Sequence, residues 1–306
     1  MNDGLLLVDK PGGMTSHDVV ARLRKILGRK DIGHAGTLDP IATGLIVALV
    51  GKATKLSDYI LNGDKAYQVG IQLGVVTDSG DISGEITHQA PVPPLSEDLL
   101  LQKIRSLTGA LDLEVPIFSA VKVNGQRLYK RAHQNQPVQA PVRKMDFRKV
   151  DLLGFDGDSV RVHMDCSKGS YVRAWVKAFG EALGCGATVT ELRRTRSAPY
   201  DLAGSIPLGA LEGEPAEAMM GAGSAWIPLN QTLPHWPAVK IEGLDEKLIM
   251  NGQIPRKLER FLEVQFGGNG DLEGVKILSK RSGRLLSLLS HQPPLSFKIR
   301  RVFPNQ

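Results

Sequence analysis

One carboxylate in this 306-residue chain stands apart because of its backbone setting. Asp39 lies in the stretch Gly33-His34-Ala35-Gly36-Thr37-Leu38-Asp39-Pro40. The proline after it pushes its backbone away from helix and toward extended geometry. Gly33 and Gly36 permit a positive φ or close approach by another backbone. A carboxylate held in this way can serve as a nucleophile, provided that it stays ionised. Burial alone would raise its pKa, and a guanidinium beside it would counter that. Other chemistries lack their residues. No second carboxylate occupies a comparable motif, which argues against a paired-carboxylate glycosidase. There is no P-loop, no dinucleotide fingerprint and no metal-spaced His/Cys cluster, so neither metal nor cofactor is expected. Cys166 and Cys185 lie far apart without CxxC spacing and read as two reduced thiols.

The elements that must position Asp39 are short and mixed in type. Leu5 to Val8 reads as a strand ended by Lys10-Pro11-Gly12-Gly13. Thr15 to Asp18 then has the form of a capping box. Val19, Val20, Leu23, Ile26 and Leu27 follow at helical spacing, with Arg22, Arg24 and Lys25 off that face. Leu45 to Val50 has the length of a buried strand and is far short of a membrane span. Tyr67 to Leu73 alternates as a strand, and the polar, Gly-rich Val75 to Glu85 reads as a loop or hairpin. Ala90 to Leu95 connects to a helix around Glu97 to Leu107. Val160 to Met164 is a strand, and Tyr171 to Leu183 is helical in period. Strands and helices without a regular βαβ repeat predict an α+β fold. Ser197 to Val239 contains no Lys or Arg and reads as a helix plus linker. Short β-like runs follow, Phe261 to Phe266 and Val275 to Leu278. The length allows about two domains. With 42% apolar and 23% charged residues, the composition is that of a soluble globular protein.

Gly33 to Pro40 resembles the signature G-H-x-G-T-L-D-P of the bacterial tRNA pseudouridine-55 synthase family, in which the aspartate is the nucleophile. Three more motifs follow the same pattern. Lys10 to Ser16 matches K-P-x-G-x-T-S, the loop that supports the nucleophile, and Lys65-Ala66-Tyr67 matches K-x-Y. Lys168-Gly169-Ser170-Tyr171-Val172-Arg173 resembles K-G-T-Y-I-R, with Ser170 in place of the usual Thr. The resemblance implies that Arg173 pairs with Asp39 and that Tyr171 lines the uridine pocket. It implies that the ring of Tyr67 stacks on a flipped-out uracil or relays a proton at C5. Asp39, Tyr67 and Arg173 are thus the expected catalytic residues. His34, Tyr67, Tyr171 and Leu192 are the expected substrate-binding ones. Arg193, Arg194 and Arg196 around Leu192 are suited to phosphates. Whether Asp39 attacks C1′ or C6 stays open.

Charge is distributed unevenly. The whole chain carries +6, with a pI near 9.3, whereas Pro116 to Val150 holds eight Lys and Arg against one Asp, a local balance of +7. The run from His133 to Pro137 is almost without apolar residues and is expected to be mobile. In the resembled family an insertion here closes over the RNA like a thumb, which implies phosphate contacts by Lys122, Arg127, Lys130, Arg131 and Arg143. Trp236 to Gln306 is basic again, with twelve Lys and Arg against seven Asp and Glu. Leu248 to Arg256 resembles the opening of a PUA-type RNA-binding barrel. The implied layout is a mixed-sheet catalytic domain over 1–233, with a thumb at about 116–143, and a small PUA-like β-barrel over 234–306. The implied activity is isomerisation of uridine 55 in the TΨC loop, with the tRNA T-arm as partner and no obligatory protein partner, in a monomer. Nothing at the start of the chain has the n-region of a signal peptide, and a cytoplasmic location is expected. An RNA-guided synthase of the H/ACA type and a tRNA chaperone without chemistry are the alternatives. The first of these lacks the thumb.

Overall fold

The uninterrupted apolar runs of this chain form strands that are buried on both faces. In the computed structural model, which describes residues 3–123, 125–134, 140–213, 225–292 and 296–304, Leu5 to Val8 belongs to strand β1 (Gly4–Lys10). After helix α1 (Ser16–Ile26) and the short β2 (Ile32–Ala35), the second run forms β3 (Thr43–Val50). Leu6, Val8, Ile46 and Ala48 point to one side, where Val19, Val20 and Leu23 of α1 cover them. Leu5, Leu7, Leu45 and Val47 point to the other, into a core shared with Trp236, Leu285 and Leu288. Helix α1 begins where expected: Thr15 caps it, and Asp18 reciprocates on the Thr15 backbone.

Helix α2 (Ser57–Leu61) precedes β4 (Lys65–Leu73). Strands β5 (Val75–Thr77) and β6 (Ile86–Gln89) form the hairpin read from the Gly-rich segment. Helix α3 (Glu97–Ser106), capped by Ser96, leads to β7 (Gly109–Glu114). The basic insertion contains a two-residue hairpin, β8 (Lys122–Val123) with β9 (Gln126–Arg127), then α4 (Leu128–His133). Long β10 (Val142–Asp156) turns into β11 (Ser159–Cys166), and α5 (Val172–Leu183) is followed by β12 (Ala187–Ser197). β1, β3, β12, β4, β11, β10 and β7 lie side by side in one mixed sheet. β12 runs parallel to β3 and antiparallel to β4, so its end carries Arg194 beside both Gly44 and Tyr67. That junction of three strands carries the site.

Two expectations need correction. Ser197 to Val239 contains no α-helix among its described residues. It forms β13 (Tyr200–Asp201), β14 (Ile206–Pro207) and β15 (Trp226–Pro228), the last two pairing along β1, with 3-10 turns between. Prolines at 199, 207 and 228 break any helical ladder there. Phe261 to Phe266 is helical, not β. After β16 (Ala238–Ile241) and α6 (Leu244–Met250) it lies in α7 (Arg256–Phe266). Leu262, Val264 and Phe266 alternate like a strand, but Leu258 and Leu262 supply the four-residue spacing that is buried, and Val264 is 82% exposed. β17 (Gly274–Ser279), β18 (Leu285–Gln292) and β19 (Ser296–Val302) complete an open four-stranded sheet with β16. No closed barrel is present among the described residues.

Candidate active site

Asp39 lies in the loop between β2 and β3, and three buried polar side chains hold that loop from below. Ser16, 2% exposed at the start of α1, accepts a hydrogen bond from the Leu38 N–H at 2.8 Å and donates to the Leu38 carbonyl at 3.2 Å. Lys10, buried at the end of β1, donates to the carbonyls of Pro11, Met14 and Pro40. Burial of that ammonium lowers its pKa to about 8, against the opposing pull of Asp39. Arg194 donates to the carbonyls of Gly36, at 3.1 Å, and Thr37, at 3.4 Å. Gly36 has a φ of +101°, and a Cβ there would lie 3.3 Å from the Arg194 guanidinium. Gly33, by contrast, is an ordinary residue of β2 and has no positive φ.

Above the loop, Arg173 meets Asp39 as expected. Its Nε lies 3.0 Å from Oδ2, and Nη2 donates to Oδ1 at 3.1 Å, a two-pronged pair. Arg173 is the second residue of α5 and is 6% exposed, whereas the Asp39 side chain retains 31% exposure. The guanidinium also donates to the carbonyls of Ser79, at 2.8 Å, and Phe118, at 3.0 Å. A second carboxylate, Asp81, lies 3.7 Å from its Nη1. Asp81 is 4% exposed and accepts hydrogen bonds from Ser79 and Ser83. Burial pushes the Asp39 carboxyl above the usual carboxylate range; Arg173 and Lys10 pull it down, and Asp81 pushes it further up. Asp39 is therefore poorly solvated, and one guanidinium serves two carboxylates.

Tyr67 is 9% exposed, and burial raises its phenol pKa against the positive charge of Arg194; it lies close enough to feel the Asp39 charge. Tyr171, half-buried at the start of α5, is raised by burial and feels Arg143 and Arg173. Leu192 is 7% exposed and lies two residues before Arg194 on β12. His34, half-buried on β2, has a Nδ1 with no hydrogen-bond partner among the described residues, and burial with Arg194 lowers its pKa. Asp39, Tyr67, Tyr171 and Arg173 thus converge, with His34 near Arg194 and Leu192 in the core cluster that holds Tyr67.

The arginines around Leu192 already have partners within the protein. Arg193 pairs with Asp9 at 2.6 Å, Arg196 pairs with Asp165 at 2.8 Å, and Arg194 is 1% exposed and turned inward. In the basic insertion, Lys122, Arg127 and Arg143 are exposed and Arg131 is half-buried. The side chain of Lys130 lies outside the described residues, as do the positions 135–137 expected to be mobile. Arg148 and Lys149 are held by Asp64, Asp146 and Asp151, so part of the local positive balance is already neutralised.

Sequence reasoning missed Asp81 and the inward role of Arg194. Asp81 sits in a polar, Gly-rich stretch where every residue looks solvated. A single cue was present for Lys10, a lysine directly after an apolar strand, inside the loop motif.

Comparison with known proteins follows the same lines. Residues 24–172 match the model of the TruB family pseudouridylate synthase N-terminal domain, and residues 173–220 match the tRNA pseudouridylate synthase B C-terminal domain. The chain is 42% identical over 301 residues to the tRNA pseudouridine synthase B of Bdellovibrio bacteriovorus, covering 98% of this chain and 97% of that protein. It is 34% identical to the protein of that name from Azoarcus sp., over 92% of this chain and 97% of that one. In fold it resembles a chain from the crystal structure of a Cbf5-Nop10-Gar1 complex, with a TM-score of 0.68, 22% identity, and coverage of 98% and 84% of the two chains.

Proposed function

This chain belongs to the TruB family of pseudouridylate synthases, and from that premise we propose that it isomerises uridine 55 in the TΨC loop, with Asp39 as the nucleophile. Its activity is tRNA pseudouridine formation. The observation that carries the assignment of the site is the two-pronged Asp39–Arg173 pair beneath a partly open surface.

The target base lies within a folded arm, so it must leave its stack to reach Asp39; loops give up a base at lower cost than duplexes. Tyr67 offers its ring to the extruded uracil, and base stacking of this kind contributes about 1–3 kcal/mol. Tyr171 and Leu192 line the same pocket, and His34 faces the space that the base leaves. The Asp39 carboxylate then adds to C1′ or to C6. The N1–C1′ bond breaks, the base turns while tethered or held, and the C5–C1′ bond forms. The bond to Asp39 is released so that the carboxylate is regenerated, and C5 loses its proton while N1 gains one. Arg173 keeps Asp39 ionised in the closed site and orients both oxygens, which limits the nucleophile to one approach. Tyr67 relays the C5 proton in this reading, which its nearness to Asp39 supports.

Lys122, Arg127, Arg131 and Arg143 supply phosphate contacts from a thumb spanning about 116–143, and Lys130 is assigned with them by position. We read 1–233 as the catalytic unit and 234–306 as a PUA-like RNA-binding unit, in a cytoplasmic monomer that needs no protein partner. Mapping pseudouridine in a tRNA transcript, and in the same transcript with uridine 55 replaced by cytidine, tests the target. Modification of the first at position 55 and none of the second is expected. Equal modification elsewhere in both would refute the assignment of the target.

A further inference from the structure

Arg194 is a cation that is 1% exposed, and no carboxylate lies within ion-pair distance of it among the described residues. Leaving a buried charge without a counter-ion costs several kcal/mol, by about the amounts seen for broken buried pairs. Three backbone carbonyls take its place. Nη1 and Nη2 hold Thr37 and Gly36 in the nucleophile loop, and Nε donates to Leu45 at 2.7 Å at the start of β3. Its own backbone pairs with Gly44 on one side and Tyr67 on the other. Two glycines yield to it. A Cβ on Gly36 would press on the guanidinium, and a Cβ on Gly44 would lie 2.3 Å from the Arg194 carbonyl. One side chain therefore ties the strand that carries Tyr67 to the loop that carries Asp39.

We propose that Arg194 is a positioning residue that fixes the distance and angle between Asp39 and Tyr67 by clamping the Gly36–Thr37 turn onto the β3–β12–β4 junction. The inference rests on the assignment of Asp39 and Tyr67 to the reaction. A planar fork suits this place because three separate nitrogens reach carbonyls of two segments, Leu45 on β3 and Gly36–Thr37 in the loop, whereas an ammonium donates every bond from a single atom. Removing the guanidinium frees the loop while the exposed cations of the insertion stay in place, so the rate of chemistry changes and tRNA affinity stays close to that of the wild type.

The test uses the full-length protein and a tRNA transcript, in single-turnover assays alongside tRNA binding and thermal unfolding. Arg194→Met should slow the chemical step by about 10²-fold, the effect of a displacement near 1 Å in a catalytic group. Its tRNA affinity should stay within about twofold of wild type. Arg194→Ala should regain rate saturably when N-ethylguanidinium is added, whereas Asp39→Asn should gain nothing. A folded Arg194→Met enzyme at wild-type rate would overturn the proposal, as would a rate loss that tracks lost tRNA binding. If Arg194→Met does not fold, Arg194→Lys decides: about tenfold slower chemistry supports the fork, and a wild-type rate overturns it. An active Asp39→Asn enzyme would instead refute the catalytic assignment on which the inference stands, whatever Arg194 does.

Discussion

The Asp39 loop and the basic insertion use the same kinds of side chain in opposite ways. In the loop, Lys10, Arg173 and Arg194 are all nearly inaccessible, and each donates to backbone carbonyls of the segments it joins. In the insertion, Lys122 and Arg127 stand exposed on a hairpin of two-residue strands, and Arg143 is exposed at the start of β10. Cations inside the protein set geometry, because the low local dielectric makes each misplaced carbonyl costly. Cations outside are free to act on affinity under the proposed function, because each phosphate met by such a side chain would release counter-ions. Reactivity and RNA binding should therefore separate when residues from the two regions are changed.

The sharpest break is expected at Asp39. Asp39→Ala should reduce turnover by about 10⁴-fold or more, on the scale of lost nucleophiles, while tRNA still binds. A comparable loss of binding would erase the contrast between the regions. Arg173→Met should come next, at about 10³-fold in rate, because it removes the guanidinium that Asp39 and the buried Asp81 share. Its pH profile carries the diagnosis. Burial already lifts the Asp39 pKa, and loss of Arg173 lifts it further, so the acid limb of the rate profile should move to higher pH. An unmoved limb would mean that Asp39 is not the group titrating in that limb.

Charge reversal in the insertion tests the other side. Lys122→Glu with Arg127→Glu should weaken tRNA binding by about 10-fold or more at low salt and make it less salt-dependent, with the single-turnover rate at saturation little changed. A fall in the saturating rate, with binding intact, would place the hairpin in the reaction instead.

The smallest effect expected is on stability. Asp39 has a folded pKa above its unfolded value, so its contribution favours the fold at pH below the unfolded pKa and is lost as pH rises through the folded one. At neutral pH the ionised carboxylate therefore contributes less to stability than its protonated form does in acid. Asp39→Asn should raise the melting temperature slightly at pH 7.5 and lose that advantage in acid, as thermal scans at the two pH values would show.

Legibility in the sequence followed the same division. Asp39, Tyr67 and Arg173 stand in motifs that resemble those of a known family, and that resemblance implied the pairing of Arg173 with Asp39 before any coordinates. The strands β1 and β3 were readable because they are apolar on both faces. Asp81 was not, since a buried carboxylate surrounded by Ser, Gly and Asp in sequence is indistinguishable from a solvated loop until Arg173 and the strand β12 enclose it. Arg194 was misjudged for a related reason. It sits among three basic neighbours, and strand alternation with a bulge after it turns one inward and leaves two at carboxylates. In α7, a two-residue alternation lay on top of a four-residue one, and only packing of Leu258 and Leu262 against the C-terminal sheet decided between them.

The most direct test of the central claim is tritium release from 5-[³H]-uridine tRNA, measured under single turnover for the wild-type chain and for Asp39→Ala at equal fractions of tRNA bound. Release by the first and none by the second, with both holding the RNA, is the predicted result. Equal release by both would contradict the assignment of Asp39 as the nucleophile and, with it, the role given to the buried cations that hold its loop.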